Sequence, residues 1–518
     1  MNHIIKIQVL DLLVDRELNA FGVQQEISAF YWDYIVSVIE NVFTELSNED
    51  EVIIVDRLEI DLGTFSEIAL RHRDERERLL LVITAQLYEK IRLGSETARQ
   101  MKRRPQILNV FHQWIFYMEH GCLPWNVAAT SAGWYQQVLE SIASEYESAQ
   151  ALRELIIHKQ DARNRIIWQH DEIFLTHIVE LLTARNHSEL VRYISELLRM
   201  HVLAAEKANQ PAAIQGRDFE TSIWQKVLVL AAGSPGTLTS SEIIEYLLTI
   251  LFANNQLREM VRVRNVMDQL PLLYPLLMKP AQKRKSTEEN GLKADQPGES
   301  IDAATPQGPA EIDRSPLIIG NTEEEKLIRP ENIIAEKKEE DGPPASSIET
   351  IEEGTYQLNS GLVLLHPFIV PFFHNLGLLA AGKFIDVQHR QKALYLLHYL
   401  ATGRTAAEEH ELVIAKILCA YPLHEPVDGR LQLKSDELKE GDLLLEEVVA
   451  QWQILKNTSP AGLREGFLQR NGKLFSKQEH LCLQLETSSI DVLLDYLPWN
   501  LSVVKLPWMK KHLTIEWR

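Results

Sequence analysis

The sequence predicts a mostly α protein with small α+β modules at both ends, a helical middle and a long disordered linker. Apolar residues recur at helical spacing over most of the chain, whereas alternation typical of strands occurs only near its two ends. A stretch of 77 residues contains no Phe, Trp, Tyr, His or Cys. These observations divide the chain into an N-terminal α+β module at 1–95, a helical region at 106–278, a disordered acidic linker at 279–355 and a C-terminal helical plus small-sheet module at 356–518.

The N-terminal module has the element order β-α-β-α. Apolar and polar residues alternate at 5–9 and again at 55–63, which predicts two half-buried strands. Between them, apolar residues at 27–46 recur at helical spacing and form a wide apolar stripe. A charged helix is predicted at about 65–93, where Gly94 ends it.

The middle of the chain reads as helices almost throughout. Ser240, followed by Glu242, is the predicted N-cap of the last of these helices. The segments share no fixed period or motif, so a bundle or irregular array is favoured over a solenoid. The predicted helices are 106–119, 135–158, 164–183, 188–208, 219–232 and 240–253.

The linker prediction rests on composition. Residues 279–355 hold eight prolines, 18 acids and ten bases, which gives a local net charge of −8. Without aromatic residues, this stretch buries too little apolar surface to offset its chain entropy. The short apolar runs at 317–319 and 333–334 are either docking points or ordinary linker sequence.

The C-terminal module begins with helices and ends with strands. Alternating leucines predict a strand at 481–485, and two further strands are predicted at 501–506 and 513–517. A short helical turn at 488–494 carries Asp491 near its N-terminus, a favourable place for negative charge. The helices predicted before them are 387–401, 407–420, 435–456 and 459–470.

Composition excludes several classes of protein. The net charge of −20 opposes a large nucleic-acid footprint, although a local basic patch stays open. The densest basic clusters, 102–104 and 283–285, flank predicted boundaries and lack interleaved aromatic residues. Three widely spaced cysteines favour reduced thiols and synthesis in the cytoplasm. Since no apolar run reaches 18 residues, we expect no membrane insertion by the chain on its own.

The sequence contains no motif that predicts an enzyme, a cofactor site or a metal site. Gly-x-Ser-x-Gly, HExxH and phosphate-loop motifs are absent, and 233–237 reads as a turn. Glu59 and Asp61 lie about 7 Å apart on one strand face, but Arg57 beside them favours a solvated face over two-carboxylate catalysis. Six histidines of the C-terminal module are expected to be structural or surface residues, namely His366, His374, His389, His398, His410 and His424.

Both ends of the chain resemble the contractile injection system tape measure proteins. The opening HIIKIQVLDL at 3–12 and VDRLEIDLG at 55–63 are similar to the start of that family. The C-terminal module matches it more extensively, and the two ends together cover about half the chain. The similar segments there are 359–368, 399–403, 409–412, 455–459, 462–470, 497–499 and 505–509.

This resemblance implies a component of a phage-tail-like particle in which a sheath drives an inner tube into a target cell. A tape measure is expected to lie in the tube lumen and to set tube length during polymerisation. The implied partners are the inner-tube protein, the baseplate hub or spike, and the tube cap proteins. The chain would be cytoplasmic at synthesis and then lie within the assembled particle.

Length arithmetic leaves an alternative open. A fully helical chain of 518 residues would span roughly 780 Å, the right order for a ruler. Two end modules with strands and turns cannot be extended helices, however. The alternative is a globular assembly factor or chaperone that nucleates tube or baseplate assembly or loads cargo, and a packaged hydrolase has only the histidines in its favour.

One candidate interaction surface stands out near the end of the sequence. Aromatic, proline and lysine residues cluster there, and they form either a docking surface or, for the two tryptophans, part of the core. The five residues are Pro498, Trp499, Lys505, Pro507 and Trp508.

Overall fold

Helices with one apolar face account for most of the structure, which is a computed structural model, and the mostly α prediction with small α+β modules is confirmed. The described residues of 1–277 and 343–518 belong to one compact unit. Except for Gly354 and Thr355, the predicted linker lies outside the described residues. The structure describes residues 3–6, 8–15, 18–48, 50–65, 72–92, 101–127, 130, 133–207, 212–234, 236, 238–251, 271–273, 276, 354–456, 458–477 and 480–517.

The N-terminal module packs two helices on each other. The predicted helix at 27–46 is present and longer than expected, because Asn19 caps it at a distance of 3.3 Å from the Gly22 amide. Its inner face, including Val42, packs against Ile83 and Leu87 of the next helix. The elements are α1 (Ala20–Phe30), a π-helical turn (Tyr31–Ile35), α2 (Val36–Leu46), β1 (Glu51–Val55), α3 (Arg73–Arg92) and β2 (Met101–Pro105).

The strand predicted at 5–9 is wrong for the described residues of that segment. Residues 3–6 and 8–15 contain no strand, and Ile5 and Val9 are 43% and 72% exposed. A strand needs a neighbour for its backbone groups, and β1 pairs instead with the basic segment 101–105, from Glu51 opposite Pro105 to Val55 opposite Met101. The basic cluster at 102–104 is therefore part of a strand.

The second predicted strand, 55–63, is paired with another strand only at Val55, the last residue of β1. Its alternation is confirmed, since Leu58, Ile60 and Leu62 are half-buried and the charged residues between them are exposed. Side chains of α3 take the place of a partner strand. The Asp61 amide donates to Gln86 Oε1 at 3.0 Å, and Gln86 Nε2 donates back to the Asp61 carbonyl.

The helical middle follows the predicted pattern, with two additional breaks. Predicted helix 164–183 divides before Asp171, whose Oδ1 accepts the Phe174 amide at 2.8 Å and starts a new helix. The predicted cap Ser240 is wrong by one residue, because Thr239 and Glu242 form the reciprocal capping bonds. The helices are α4 (Gln106–His120), α5 (Trp134–Ser144), α6 (Tyr146–His158), α7 (Gln160–Gln169), α8 (Glu172–Thr183), α9 (Leu190–Lys207), α10 (Ala212–Gly233) and α11 (Ser240–Leu251).

The C-terminal module surrounds its own apolar core with short helices. Several predicted helices end early and continue as 3₁₀ or π turns. The helices are α12 (His366–Asn375), α13 (Val387–Thr402), α14 (Val413–Leu418), α15 (Ser435–Gln451) and α16 (Pro460–Leu463). The 3₁₀ turns are Ser360–Leu365, Glu409–Leu412, Gln453–Leu455 and Ser489–Tyr496, and Arg464–Leu468 is a π turn.

A five-stranded sheet closes this module. Its strand order is β3-β6-β7-β9-β8, and all neighbours are antiparallel except β7 and β9. The last three strands overlap the predicted segments, whereas β3 and β6 were not predicted. The strands are β3 (Thr355–Gln357), β6 (Gly472–Lys477), β7 (His480–Leu485), β8 (Val503–Val504) and β9 (Leu513–Glu516), and a separate hairpin pairs β4 (Leu379–Ala380) with β5 (Lys383–Phe384).

The apolar residues that the structure describes form three separate cores. One lies in the N-terminal module, one in the helical middle around Trp114 and Trp224, and one in the C-terminal module around Tyr395 and Trp452. Among the helices that the structure describes, none has the length and apolar character needed to cross a membrane.

Candidate functional site

A buried group of charges joins the helical middle to the C-terminal module. Arg165 on α7, Glu409 in the turn Glu409–Leu412 and Lys416 on α14 form this charge cluster, and all three side chains are completely buried. The Arg165 Nε donates to Glu409 Oε2 at 2.9 Å, and Lys416 donates to the other carboxylate oxygen. One carboxylate therefore bridges a cation from each side of the junction.

Backbone carbonyls accept hydrogen bonds from both cations and so disperse the positive charge that the single carboxylate does not neutralise. The Lys416 ammonium also donates to the carbonyls of Leu423 at 3.1 Å and Glu425 at 2.8 Å. The Arg165 guanidinium donates to the carbonyls of Met118 and His424, the latter at 2.6 Å. Burial lowers the pKa of Lys416, and the charge of Glu409 opposes that shift. All three of the lysine's donors have acceptors, as a buried ammonium requires.

Gln169, one helical turn after Arg165, holds the backbone around the cluster. Its Oε1 accepts the Glu409 amide at 2.9 Å, and its Nε2 donates to the Val427 carbonyl at 2.9 Å. The Val427 amide in turn donates to Glu409 Oε2 at 3.4 Å. Residues four apart on a helix share a face, so α7 presents both side chains to the C-terminal module together.

Gly121 lets α4 approach the cluster. Its φ of +73° ends α4 in the left-handed region, which favours glycine. A Cβ atom there would lie 2.6 Å from Glu409 Oε1 and 3.0 Å from the Arg165 guanidinium. Burial raises the pKa of the neighbouring Cys122 thiol to about 11.

Two peripheral contacts flank the charge cluster. The Tyr135 hydroxyl on α5 donates to Glu408 Oε2 at 2.9 Å, and the same carboxylate lies 3.3 Å from His410 Nδ1. Arg430 forms an ion pair with Glu220 on α10. These described contacts across the junction are polar, whereas the apolar cores on its two sides are distinct apart from Cys122, which packs against the C-terminal core.

A buried histidine beside the junction is held neutral. The His170 Nδ1–H donates to the Ile166 carbonyl at 3.0 Å, so Nε2 is left as the acceptor for the Trp114 indole N–H at 3.3 Å. Burial lowers the pKa of His170 to about 4. Among the described residues, no group of three His, Cys, Asp or Glu side chains is arranged to hold a metal ion.

Acidification is expected to destabilise the protein. His170 has an ordinary pKa of 6.5 and a folded-state pKa of about 4, so below pH 6.5 the unfolded chain binds the proton more strongly. Stability is therefore full above pH 6.5 and falls towards pH 4, by on the order of 2–3 kcal/mol from this group. Urea midpoints at pH 7 and pH 4.5 test this. His170→Asn should show a smaller loss, and an equal loss in both proteins would contradict the assignment.

The five predicted surface residues are placed in two different environments. Trp499 and Trp508 are half-buried, and their indole N–H groups donate to the carbonyls of Leu364 at 3.0 Å and Leu418 at 2.7 Å. Pro498, Lys505 and Pro507 are exposed. The tryptophans thus fasten this segment to the core and leave the other three on the surface; a docking role stays a prediction.

Sequence patterns do not predict the charge cluster. Glu409 lies in the family-like segment 409–412, but no local pattern indicates a partner for it, and Arg165 lies 244 positions before it. One signal was present, since Lys416 is the only charged residue in the apolar run from Leu412 to Leu418. A single lysine with apolar residues before and after it in the sequence predicts a buried carboxylate as its partner.

Comparison with known proteins identifies the family. The model of the contractile injection system tape measure protein family matches residues 2–517. The chain therefore belongs to this family. Its members are structural components of the injection particle, and the family is not an enzyme family. The match extends through the helical middle, beyond the two ends whose resemblance was noted. No curated protein and no solved structure matches the chain.

Family membership defines the role in general terms. The protein is a structural component of a contractile injection system and sets the length of its tube. It lies inside the assembled particle, in association with tube and baseplate components.

Proposed function

We propose that the protein sets tube length in an opened state, in which the C-terminal module has separated from the helical middle. The observation that carries this proposal combines the family match with the fold. The family model matches residues 2–517, and the two segments on either side of residues 278–342, which are 1–277 and 343–518, belong to one compact unit. In that closed unit, both ends of the intervening segment attach to the same body.

Dimensions favour an opened state for measuring. A compact body of this size has a radius of gyration of roughly 22 Å and a diameter of about 60 Å. A fully helical chain spans roughly 780 Å. Length can therefore be set over hundreds of ångströms only if the two segments that residues 278–342 connect separate from each other.

The junction has the character of a separable contact. Each module keeps its own apolar core, and the charge cluster with its polar neighbours joins them. Contacts between domains that are more polar than a core commonly open and close. We therefore propose that 1–95, 106–278 and 356–518 are separable units and that 279–355 is the linker between the last two.

The partners follow from the same role. We propose that the inner-tube protein surrounds the opened chain and that the two ends dock on the baseplate hub or spike and on the tube cap proteins. Pro498, Lys505 and Pro507 are the proposed docking residues, held in place by Trp499 and Trp508. Synthesis takes place in the cytoplasm, with no contact to nucleic acid and no membrane insertion by the chain on its own.

The proposal is tested by measuring tube length in particles assembled with a form of this protein that lacks residues 282–352. We expect tubes shorter by roughly 110–230 Å, from about 1.5 Å per helical residue to about 3.3 Å per stretched residue. A half-length deletion within the same range serves as the proportional control. Normal tubes in normal numbers would contradict the proposal and favour a folded assembly factor. A deletion within 131–208 would not serve, because it removes core helices and Arg165.

A further inference from the structure

Exposed apolar residues are concentrated in the N-terminal module. Of the large apolar side chains that are exposed among the described residues, seven lie between residues 4 and 18. Isolated apolar residues on a surface are normal, but such a dense run indicates a contact with another molecule. The seven are Ile4, Ile5, Val9, Leu10, Leu12, Leu13 and Leu18.

The first part of this run has the pattern of a strand but no partner strand. Residues 5–9 alternate between apolar and polar side chains and follow the apolar Ile4, yet the described residues among them belong to no sheet. Contacts on both sides hold the segment in place. His3 Nε2 lies 3.1 Å from Thr44 Oγ1, and the Lys6 ammonium lies 5.7 Å from the ring centroid of Trp125.

The same module contains a sheet edge without protection. Among the described strands, β1 pairs only with β2, so no described strand pairs with its other edge. Natural edge strands are commonly protected by lysine, other charges or proline. β2 has such residues in Lys102, Arg103, Arg104 and Pro105, whereas four of the five residues of β1 are Val or Ile.

We propose that residues 4–9 of one copy add a strand to the open edge of β1 in a second copy of this chain. The six residues, about 20 Å when extended, match the five residues of β1 in length. Within its own chain, His3 contacts Thr44 and Lys6 contacts Trp125, and the described residues of this segment do not pair with β1. In a two-fold pair the exchange is reciprocal, so two added strands are buried, together with the apolar side chains that they carry.

Charge supports the same arrangement. Asp11 follows the added strand and is exposed. Beside β1, Lys102 is also exposed, and among the described residues neither it nor Arg104 takes part in an ion pair. Attraction between these acidic and basic groups therefore favours the approach of two copies, and added salt weakens that attraction.

Paired proline variants of the full chain test the exchange. The double variant Gln8→Pro and Val9→Pro removes two successive donors, one of which faces β1 whatever the register. Light scattering after size-exclusion chromatography should show a dimer for the natural chain and a monomer for this variant. The matched control, Leu12→Pro with Leu13→Pro, lies beyond the added strand and should stay dimeric. A natural chain that is monomeric at all concentrations overturns the proposal.

Cysteine variants distinguish exchange between copies from pairing within one chain. Val9→Cys and Val52→Cys are purified separately, mixed and oxidised, with the natural chain as control for its own cysteines. A mixed disulfide between the two proteins is expected. If the chain carrying both changes forms instead a disulfide within itself, and the mixture forms none, residues 4–9 pair with β1 of their own chain and the proposal is wrong.

Discussion

Replacement of Glu409 by alanine is expected to lower the free energy of unfolding by about 3–5 kcal/mol. The change leaves the Arg165 guanidinium and the Lys416 ammonium buried without an anion. It also removes the acceptor of the Val427 amide. No other single charge in the described junction is shared by two buried cations, so this substitution should have the largest effect there.

Urea denaturation of the full chain measures this loss. Glu440→Ala is the control, because Glu440 is exposed on α15 and its removal should change stability by less than about 0.5 kcal/mol. The triple variant Arg165→Met, Glu409→Leu and Lys416→Met leaves no charge unpaired and should be more stable than Glu409→Ala. A loss below about 1 kcal/mol in Glu409→Ala would show that the cluster does not hold the junction closed.

Replacement of Trp508 by alanine is expected to cost about 2–4 kcal/mol. Its ring lies against Phe373 and Phe384, with centroid distances of 5.9 and 4.9 Å. Its indole N–H satisfies the Leu418 carbonyl at the end of α14. Trp508→Phe keeps the ring contacts and should lose only about 1–2 kcal/mol. Equal losses for the two variants would contradict this division.

The exposed neighbours of Trp508 provide the opposite test. Changing Pro498 and Pro507 to serine and Lys505 to glutamate should leave stability within about 0.5 kcal/mol, because all three side chains are exposed. If they form the proposed docking surface, particle numbers should fall sharply while the isolated protein stays folded. Normal particle numbers would leave the segment with a role in the core alone.

Local patterns predicted the helices better than the pairings between distant segments. The stripe at 27–46 and the apolar faces of the middle helices follow from a period of 3.6 residues, which neighbours along the chain determine. The strand predicted at 5–9 failed because alternation shows that a segment suits a sheet, not that a partner strand is near. The break before Asp171 depended on one capping bond inside a continuous apolar pattern.

Long-range polar contacts were the least predictable part of the site. Glu409 and Arg165 come from different modules, and nothing local to either residue specifies the other. β3, with its three residues, was too short and polar to be distinguished from the linker. Trp499 and Trp508 were recognised as a cluster, but only the structure shows that each indole donates to a carbonyl of the core.

The order of strands in the C-terminal sheet has a consequence for protein synthesis. β9, the last strand along the chain, lies between β7 and β8, and it alone connects β8 to the rest of the sheet. The ribosome must therefore translate beyond residue 516 before this sheet can close. The helical middle has its own core and can fold earlier, before Glu409 has been synthesised and can pair with Arg165. The C-terminal sheet is thus completed at the end of synthesis, after the helical middle.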